Sequence, residues 1–392
     1  MDNSPRKIIL PVIVVSQFLC TSLWFAGNAI LGDIIKTFQL EESFLANLTS
    51  SVQFGFISGT FVFAVLTIAD RFSPSRVFFV SSILAALCNL GITINGIDST
   101  TLLFFRFLTG FFLAGIYPVG MKIASDHYQK GLGKSLGFLV GALVVGTSFP
   151  HLLKSISADL PWKAVVFSTS VLSVVGGVAI ILLVPDGPFR KRSSGLDLTA
   201  FLRGFSNKNF RSASLGYFGH MWELYAFWAF VPFMLQAYSD RHGNTGFNVS
   251  LLSFIIIGSG GLACVTSGLL SQKYGPKKVA TLALALSGLC CILSPFFLSM
   301  ASPLTLIVFL FFWGLVVIAD SPLFSTLVAQ NAAEESRGSA LTIMNCIGFT
   351  ITIVSIQLTS MLTHYMNMEF VFTVLAVGPF FGLIALIANK TS

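Results

Sequence analysis

Glu223 and His220 sit three residues apart in an otherwise apolar run, a spacing that puts both on one face of a helix. An ionisable side chain in so apolar a stretch costs about 3 kcal/mol unless it meets water, a partner or a substrate. A carboxylate held there can take up and release a proton as its access to water changes. Glu223 is therefore the first candidate proton carrier, with His220 beside it and Asp320, in a later run, as a third member. Arg106 lies in another apolar run and cannot shed its charge. It suits the binding of an anionic group or the pairing of a buried acid. Tyr117, eleven residues on, returns to nearly the same face if the helix is continuous. Each has a structural reading beside the chemical one: a bonded anchor for Glu223, a packed ring for His220, a helix clamp for Arg106, a lock between bundles for Asp320. Lys122, nearly opposite Arg106, reads as a charge reaching for the interface.

Neutral groups at similar depth complete a candidate pocket. Thr21, Trp24 and Asn28 in the first apolar run, Gln53 in the second, Trp222 and Tyr225 beside Glu223, and Asn345 in the eleventh offer an aromatic wall with a few polar atoms, the usual make-up of a small-molecule site. Of these, Trp24, Asn28, Trp222, Tyr225 and Asn345 join Arg106 and Tyr117 as substrate-binding candidates. The six cysteines (Cys20, Cys88, Cys264, Cys290, Cys291 and Cys346) fall inside apolar runs without C-x-x-C spacing or clustered His, and read as small core residues. No metal or other cofactor is expected. Neither a nucleotide-binding loop, a dinucleotide fingerprint nor a hydrolase motif occurs in usable context, so the chain does not read as an enzyme.

The elements that must position these residues are long and apolar. With 54% hydrophobic residues, 10% charged and a mean hydropathy of +0.84, the chain lacks the polar surface to coat a soluble globule of 392 residues. Runs near the ~20 residues needed to cross the hydrocarbon core fall at 8–31, 44–69, 75–95, 99–125, 131–157, 163–184, 212–239, 248–272, 278–300, 303–330, 338–363 and 367–389. Lipid satisfies no backbone group, and the runs are too long for barrel strands, so twelve transmembrane helices in an all-α fold are expected.

The second half repeats the first. Asp70-Arg71-Phe72-Ser73-Pro74-Ser75-Arg76 aligns without a gap on Gln272-Lys273-Tyr274-Gly275-Pro276-Lys277-Lys278, and Gly59 keeps the same offset to Gly261. Gly110 and Pro118 match Gly314 and Pro322 two spans later. Parallel repeats of this size are expected of two pseudo-symmetric six-helix bundles. The bundles are placed at 1–184 and 212–392, joined by a linker at 185–211 that opens on Pro185-Asp186-Gly187-Pro188.

Of the 23 Lys and Arg residues, 17 fall on the face holding the N-terminus, Arg6, Lys7, Arg76, Lys130, Arg192 and Lys390 among them; the other face has Lys36, Lys154, Lys163 and Arg241. Both termini and the linker are thus expected in the cytoplasm. The same bias accounts for the net charge of +7, and no nucleic-acid partner is implied. The apolar run after Arg6-Lys7 exceeds a signal-peptide core and reads as an uncleaved helix. His151 and Lys154, at the far end of the fifth span, are candidates for an outer funnel.

Twelve spans in two halves, Ala69-Asp70-Arg71 closing the second span, and Arg106-Phe107-Leu108-Thr109-Gly110 in the fourth resemble the major facilitator superfamily over essentially the whole chain. The stretches Gly115-Ile116-Tyr117-Pro118 through Gly131-Leu132-Gly133-Lys134-Ser135-Leu136-Gly137 and Gly219 to Tyr225 are similar to a bacterial branch whose members mostly lack an assigned substrate. The resemblance implies alternating access around a site at mid-membrane, and a gating role for Asp70, Arg71, Arg76 and Lys273 in the loop motif and its copy. Departures are present: Leu66 and Ser73 stand where the family motif has Gly, and Gln272 replaces the acid in the second copy. The fifth span has Gly141-Ala142-Leu143-Val144-Val145-Gly146 instead of the Gly-Pro pair of drug–proton antiporters. The second and eighth spans lack the Arg of nitrate carriers. The expectation is a proton-coupled secondary transporter in the inner membrane, monomeric, driven by a proton gradient and importing a small organic anion or zwitterion. An efflux antiporter for amphipathic compounds and a non-transporting membrane sensor are the alternatives.

Overall fold

The apolar runs fold as helices because each backbone N–H and C=O can then be satisfied within its own segment. The computed structural model describes residues 8–128, 132–157, 160–190, 195–243, 245–300, 302–334 and 337–388, without the side chains of 132–134. The loop residues Arg6, Lys7, Lys130, Gly131, Lys191, Arg192 and Lys390 lie outside the described residues, as does the side chain of Lys134. Among the described residues ten helices are long and apolar enough to cross a membrane. Two further stretches are consistent with the expected twelve. The first pass contains the short helix Ile9–Thr21, and the seventh is Lys208–Arg241, whose hydropathy His220 and Glu223 lower. Side chains such as Leu182, Leu262, Phe380 and Phe381 stand exposed around the helices, as a lipid-facing surface requires.

The chain divides into two compact units, Met1–Leu196 and Asp197–Ser392. Each packs its six passes in one pattern: first on fifth and sixth, second on fourth, and third on fourth and sixth, with the seventh to twelfth passes following suit. Helix starts carry the repeat into three dimensions. Pro74 and Pro276 are 202 residues apart, Ser99 and Pro303 are 204, and Tyr117 and Ser321 are 204. Leu132 and Arg337, like Lys163 and Met368, are 205 apart. Even the caps repeat. Asp98 accepts from the Thr101 N–H at 2.8 Å, and Ser302, 204 residues later, accepts from the Thr305 N–H at 3.3 Å. Gly110 and Gly314 also act alike. A Cβ on Gly110 would strike the Val52 carbonyl in the second pass, and one on Gly314 would strike the Ile256 carbonyl in the eighth. These glycines let backbones of neighbouring passes touch.

Several passes are broken where a continuous helix was expected. The first bends through 22–25 between Ile9–Thr21 and Ala26–Ala29, then continues as Leu31–Phe38. The fourth is Ser99–Leu113 followed by Tyr117–His127, and the tenth is Pro303–Ala319 followed by Ser321–Asn331. Pro118 and Pro322 explain the last two breaks, since a proline ring removes an N–H and crowds the carbonyl four residues earlier. In the tenth pass that carbonyl, of Ile318, faces Cys264 Sγ at 3.8 Å. The break at 114–116 interrupts the helical phase on which the shared face of Arg106 and Tyr117 was argued. The linker expected at 185–211 contains the helical turn Ala200–Gly204, and the seventh pass begins inside it, at Lys208 under an Asn207 cap.

Candidate functional site

In the second unit, Glu223 is buried at 1% exposure on the seventh pass. Its Oε1 accepts from Trp313 Nε1 at 2.7 Å and from Cys291 Sγ at 3.3 Å, and its Oε2 accepts from Ser287 Oγ at 2.8 Å. Ser287 and Cys291 are four apart on the ninth pass and so share a face. Trp313 stands on the tenth pass one residue before Gly314. Its indole is held against Phe227, at 4.5 Å between ring centroids, and Phe309, at 5.7 Å. Three donors on one carboxyl suit its charged, acceptor-only form. Ser287 has a second acceptor within reach, the Leu284 carbonyl at 3.1 Å. Its single O–H can therefore turn away when the carboxyl is protonated, without leaving a buried donor unpaired.

His220 makes a different contact from Glu223, though the two share a helix face. Its Nδ1 lies 2.7 Å from Asp320 Oδ1, with both side chains buried. Asp320 occupies the break of the tenth pass, the place held by Ile116 in the first unit. Trp222 and Asn345, expected at a pocket, are held by packing partners: Trp222 Nε1 donates to the Val374 carbonyl at 3.1 Å, and Asn345 Oδ1 accepts from Tyr217 Oη at 3.0 Å. Tyr225 is buried between the rings of Trp228 and Phe349, both 5.2 Å away.

In the first unit, Arg106 is fully buried and reaches from the fourth pass to two others. Its Nη1 donates to Asn89 Oδ1 at 3.0 Å, and its Nη2 donates to the carbonyls of Leu23 at 3.2 Å and Trp24 at 2.6 Å. Those carbonyls belong to the break of the first pass, where a helix ends with unsatisfied acceptors and the negative end of its dipole. Nε has no hydrogen-bond partner among the described residues and faces Gly27, where an added Cβ would lie 3.3 Å away. Trp24 and Asn28, on the same pass, meet the second: Trp24 packs on Phe56 at 4.8 Å, and Asn28 Nδ2 donates to Thr49 Oγ1 at 2.7 Å. Tyr117 begins the second half of the fourth pass and is half-buried.

The loop motif builds a charged cluster within the first unit. Lys122 Nζ lies 3.0 Å from Asp70 Oδ1 and 3.5 Å from Asp126 Oδ1. Arg190 pairs with Asp186 at 2.7 Å and donates to the carbonyls of Asp70 and Phe72. Arg71 Nε donates to Thr67 Oγ1 at 3.0 Å, while Arg76 with Arg190 lines a cavity of about 510 Å³. In the second unit Lys273 lies 5.2 Å from the Tyr274 ring. His151 is buried rather than open as a funnel would need, and Lys154 pairs with Asp33 at 2.6 Å.

Sequence reasoning missed Asn89, Ser287 and Trp313, and read Cys291 as packing alone. A signal was present: Asn89 and Cys291 are 202 residues apart, in register with Pro74 and Pro276.

The family model described as Major Facilitator Superfamily matches residues 13–354, and again residues 213–391. A search of curated proteins returned no match. Two solved structures resemble the chain along nearly its full length. One is a crystal structure of a point mutant of the nucleoside transporter NupG, with a TM-score of 0.73 and 15% identity, covering 98% of this chain and 100% of that one. The other is the proton:xylose symporter XylE bound to 6-bromo-6-deoxy-D-glucose, with a TM-score of 0.75 and 12% identity, covering 98% and 95%. At such identities the likeness is one of fold, and with the family match it is decisive: this chain is a multi-pass membrane transporter of the major facilitator superfamily.

Proposed function

We propose that the chain is a proton-coupled secondary transporter, working by alternating access, that takes up a small organic anion or zwitterion. Glu223 carries the proton. The observation that carries this reading is the environment of its carboxyl. Trp313 and Cys291 hold one oxygen, and Ser287, on the other, has a second acceptor at Leu284. Charged and neutral forms can thus each be accommodated without moving the helices, as a group that loads and unloads a proton requires. His220 and Asp320 form a neighbouring pair that can share a proton in the same unit.

Arg106 supports an anionic group on the solute. It is a buried fixed charge that donates to one amide and two carbonyls, with Nε unpartnered beside Gly27 among the described residues. An anion would supply the counter-charge that carbonyl dipoles only partly replace. The test uses purified protein in liposomes loaded with a pH-sensitive dye, with lactate, glutamate and gluconate as external probes. Solute-driven acidification of the interior is expected, abolished in Glu223→Gln while exchange of labelled solute across the bilayer persists. Undiminished proton movement in Glu223→Gln would remove Glu223 from the coupling role.

A further inference from the structure

Along one face of the second pass, Thr49, Gln53 and Phe56 follow one another at helical spacing. Their neighbours on the first pass are Asn28, bonded to Thr49, and Trp24, packed on Phe56. Gln53 stands between these two contacts. It is fully buried, yet neither its Oε1 nor its Nε2 has a hydrogen-bond partner among the described residues, and the same holds for Asn28 Oδ1. A buried carboxamide with both ends unmet is a net liability, because each group has given up water without a replacement partner. Groups of this kind in a native interior call for an explanation, and a ligand is one.

The chemistry of the strip narrows that ligand. It presents two acceptors, Asn28 Oδ1 and Gln53 Oε1, one NH₂ donor at Gln53, and an aromatic wall of Trp24 and Phe56. A carboxamide offers a donor and an acceptor side by side. Adjacent hydroxyls, each able to donate and accept, match such an edge, and the C–H face of a hydroxylated chain or ring suits the aromatic wall. An unsubstituted aliphatic carboxylate would leave the strip unsatisfied.

We propose that Gln53, with Asn28, determines specificity for a polyhydroxylated solute by pairing its carboxamide with adjacent hydroxyls. The inference rests on the transport reading above and deepens it, adding hydroxyls to the anionic group assigned to Arg106. The strip is closed to solvent in this structure, and the solute reaches it in the conformation that opens it.

Binding of D-gluconate, hexanoate and D-xylose to the purified full-length protein tests this by isothermal calorimetry. Gluconate and hexanoate share a carboxylate and chain length but differ in hydroxyls. Wild type is expected to bind gluconate at least about tenfold more tightly than hexanoate, and Gln53→Leu to bring the two together. The unliganded Gln53→Leu protein is expected to melt at or above the wild-type temperature, because an apolar side chain replaces an unpaired amide. Gln53→Met repeats the comparison with a side chain of closer shape. Equal binding of gluconate and hexanoate by wild type, or gluconate affinity unchanged in Gln53→Leu, overturns the proposal. So does a wild type that binds no hydroxylated probe, or loss of the folded protein in both variants, which assigns Gln53 to structure. D-xylose bound in a Gln53-dependent, Arg106-independent way would sink the anion reading and leave this inference standing. Both carboxylates bound alike, with dependence on Arg106, would do the reverse.

Discussion

Asn89 and Cys291 hold the same place in the two repeats, and each bonds the buried charge of its own unit: Asn89 Oδ1 accepts from Arg106, and Cys291 Sγ donates to Glu223. In both units the cluster ties together the first, third and fourth passes of the six, with the charge on the fourth in one and the first in the other. Duplication supplied one scaffold, and the two copies carry charges of opposite sign. A buried guanidinium thus stands in one unit and a buried carboxyl in the other, the division of charge on which the proposed separation of anion binding from proton carriage rests.

Arg106→Lys keeps the positive charge but loses the fork that spans Asn89 and two carbonyls. We expect thermal stability to fall, by about 1–3 kcal/mol for each buried acceptor left unmet, while Glu223-dependent proton uptake by the folded fraction survives. Thermal melts and dye-loaded liposomes measure the two effects. A Lys variant as stable as wild type would mean that the first-pass break is held by other contacts.

His220 and Asp320 should behave as a coupled pair. Both side chains are buried, and removing one leaves the other unmet at about 1–3 kcal/mol, so Asp320→Asn and His220→Gln are each expected to destabilise. The double variant should lose less than the sum, leaving a coupling of about 1 kcal/mol or more in a double-mutant cycle. Additive losses would show that the 2.7 Å approach carries no energy.

Gly110→Ala and Gly314→Ala push a methyl group into the Val52 and Ile256 carbonyls and force two passes apart. Overpacking of this kind costs about 1–3 kcal/mol. Gly32→Ala is the control, since nothing lies within 4 Å of an added Cβ there. It is the second residue of the helix Leu31–Phe38, in the first turn, so little change is expected. Melting curves of the three variants decide whether the repeated glycines set the crossings.

Asp98 lies outside the spanning segments, where its bonds to Thr101 hold the carboxyl below its usual range. A depressed carboxyl contributes stability that is present above its unfolded value of 3.8 and is lost as pH falls through the lower folded value. Wild type should therefore lose a cap contribution on acidification that Asp98→Asn does not, the amide being an uncharged cap. Melting temperatures of both proteins from neutral pH downward give the comparison, and parallel curves would dismiss the contribution of the Asp98 charge.

Much of this architecture was legible from residues alone. Hydropathy placed the passes because transfer into lipid is nearly a sum over individual side chains. The pairs Pro74 with Pro276 and Gly110 with Gly314 exposed the repeat, and ionisable residues in apolar runs singled out Arg106, Glu223, His220 and Asp320. Glu223 could not reveal Trp313, 90 residues away, nor Arg106 the carbonyls 82 and 83 residues earlier. Those partners depend on how helices cross, which backbone contacts at glycines set, and on where a proline breaks a pass and frees acceptors. Sequence determined which residues must find a partner in a low-dielectric interior, because that demand belongs to each side chain by itself. Only the tertiary structure decided which partner each one found, because hydrogen bonds act over about 3 Å and no periodicity along the chain specifies distance across it.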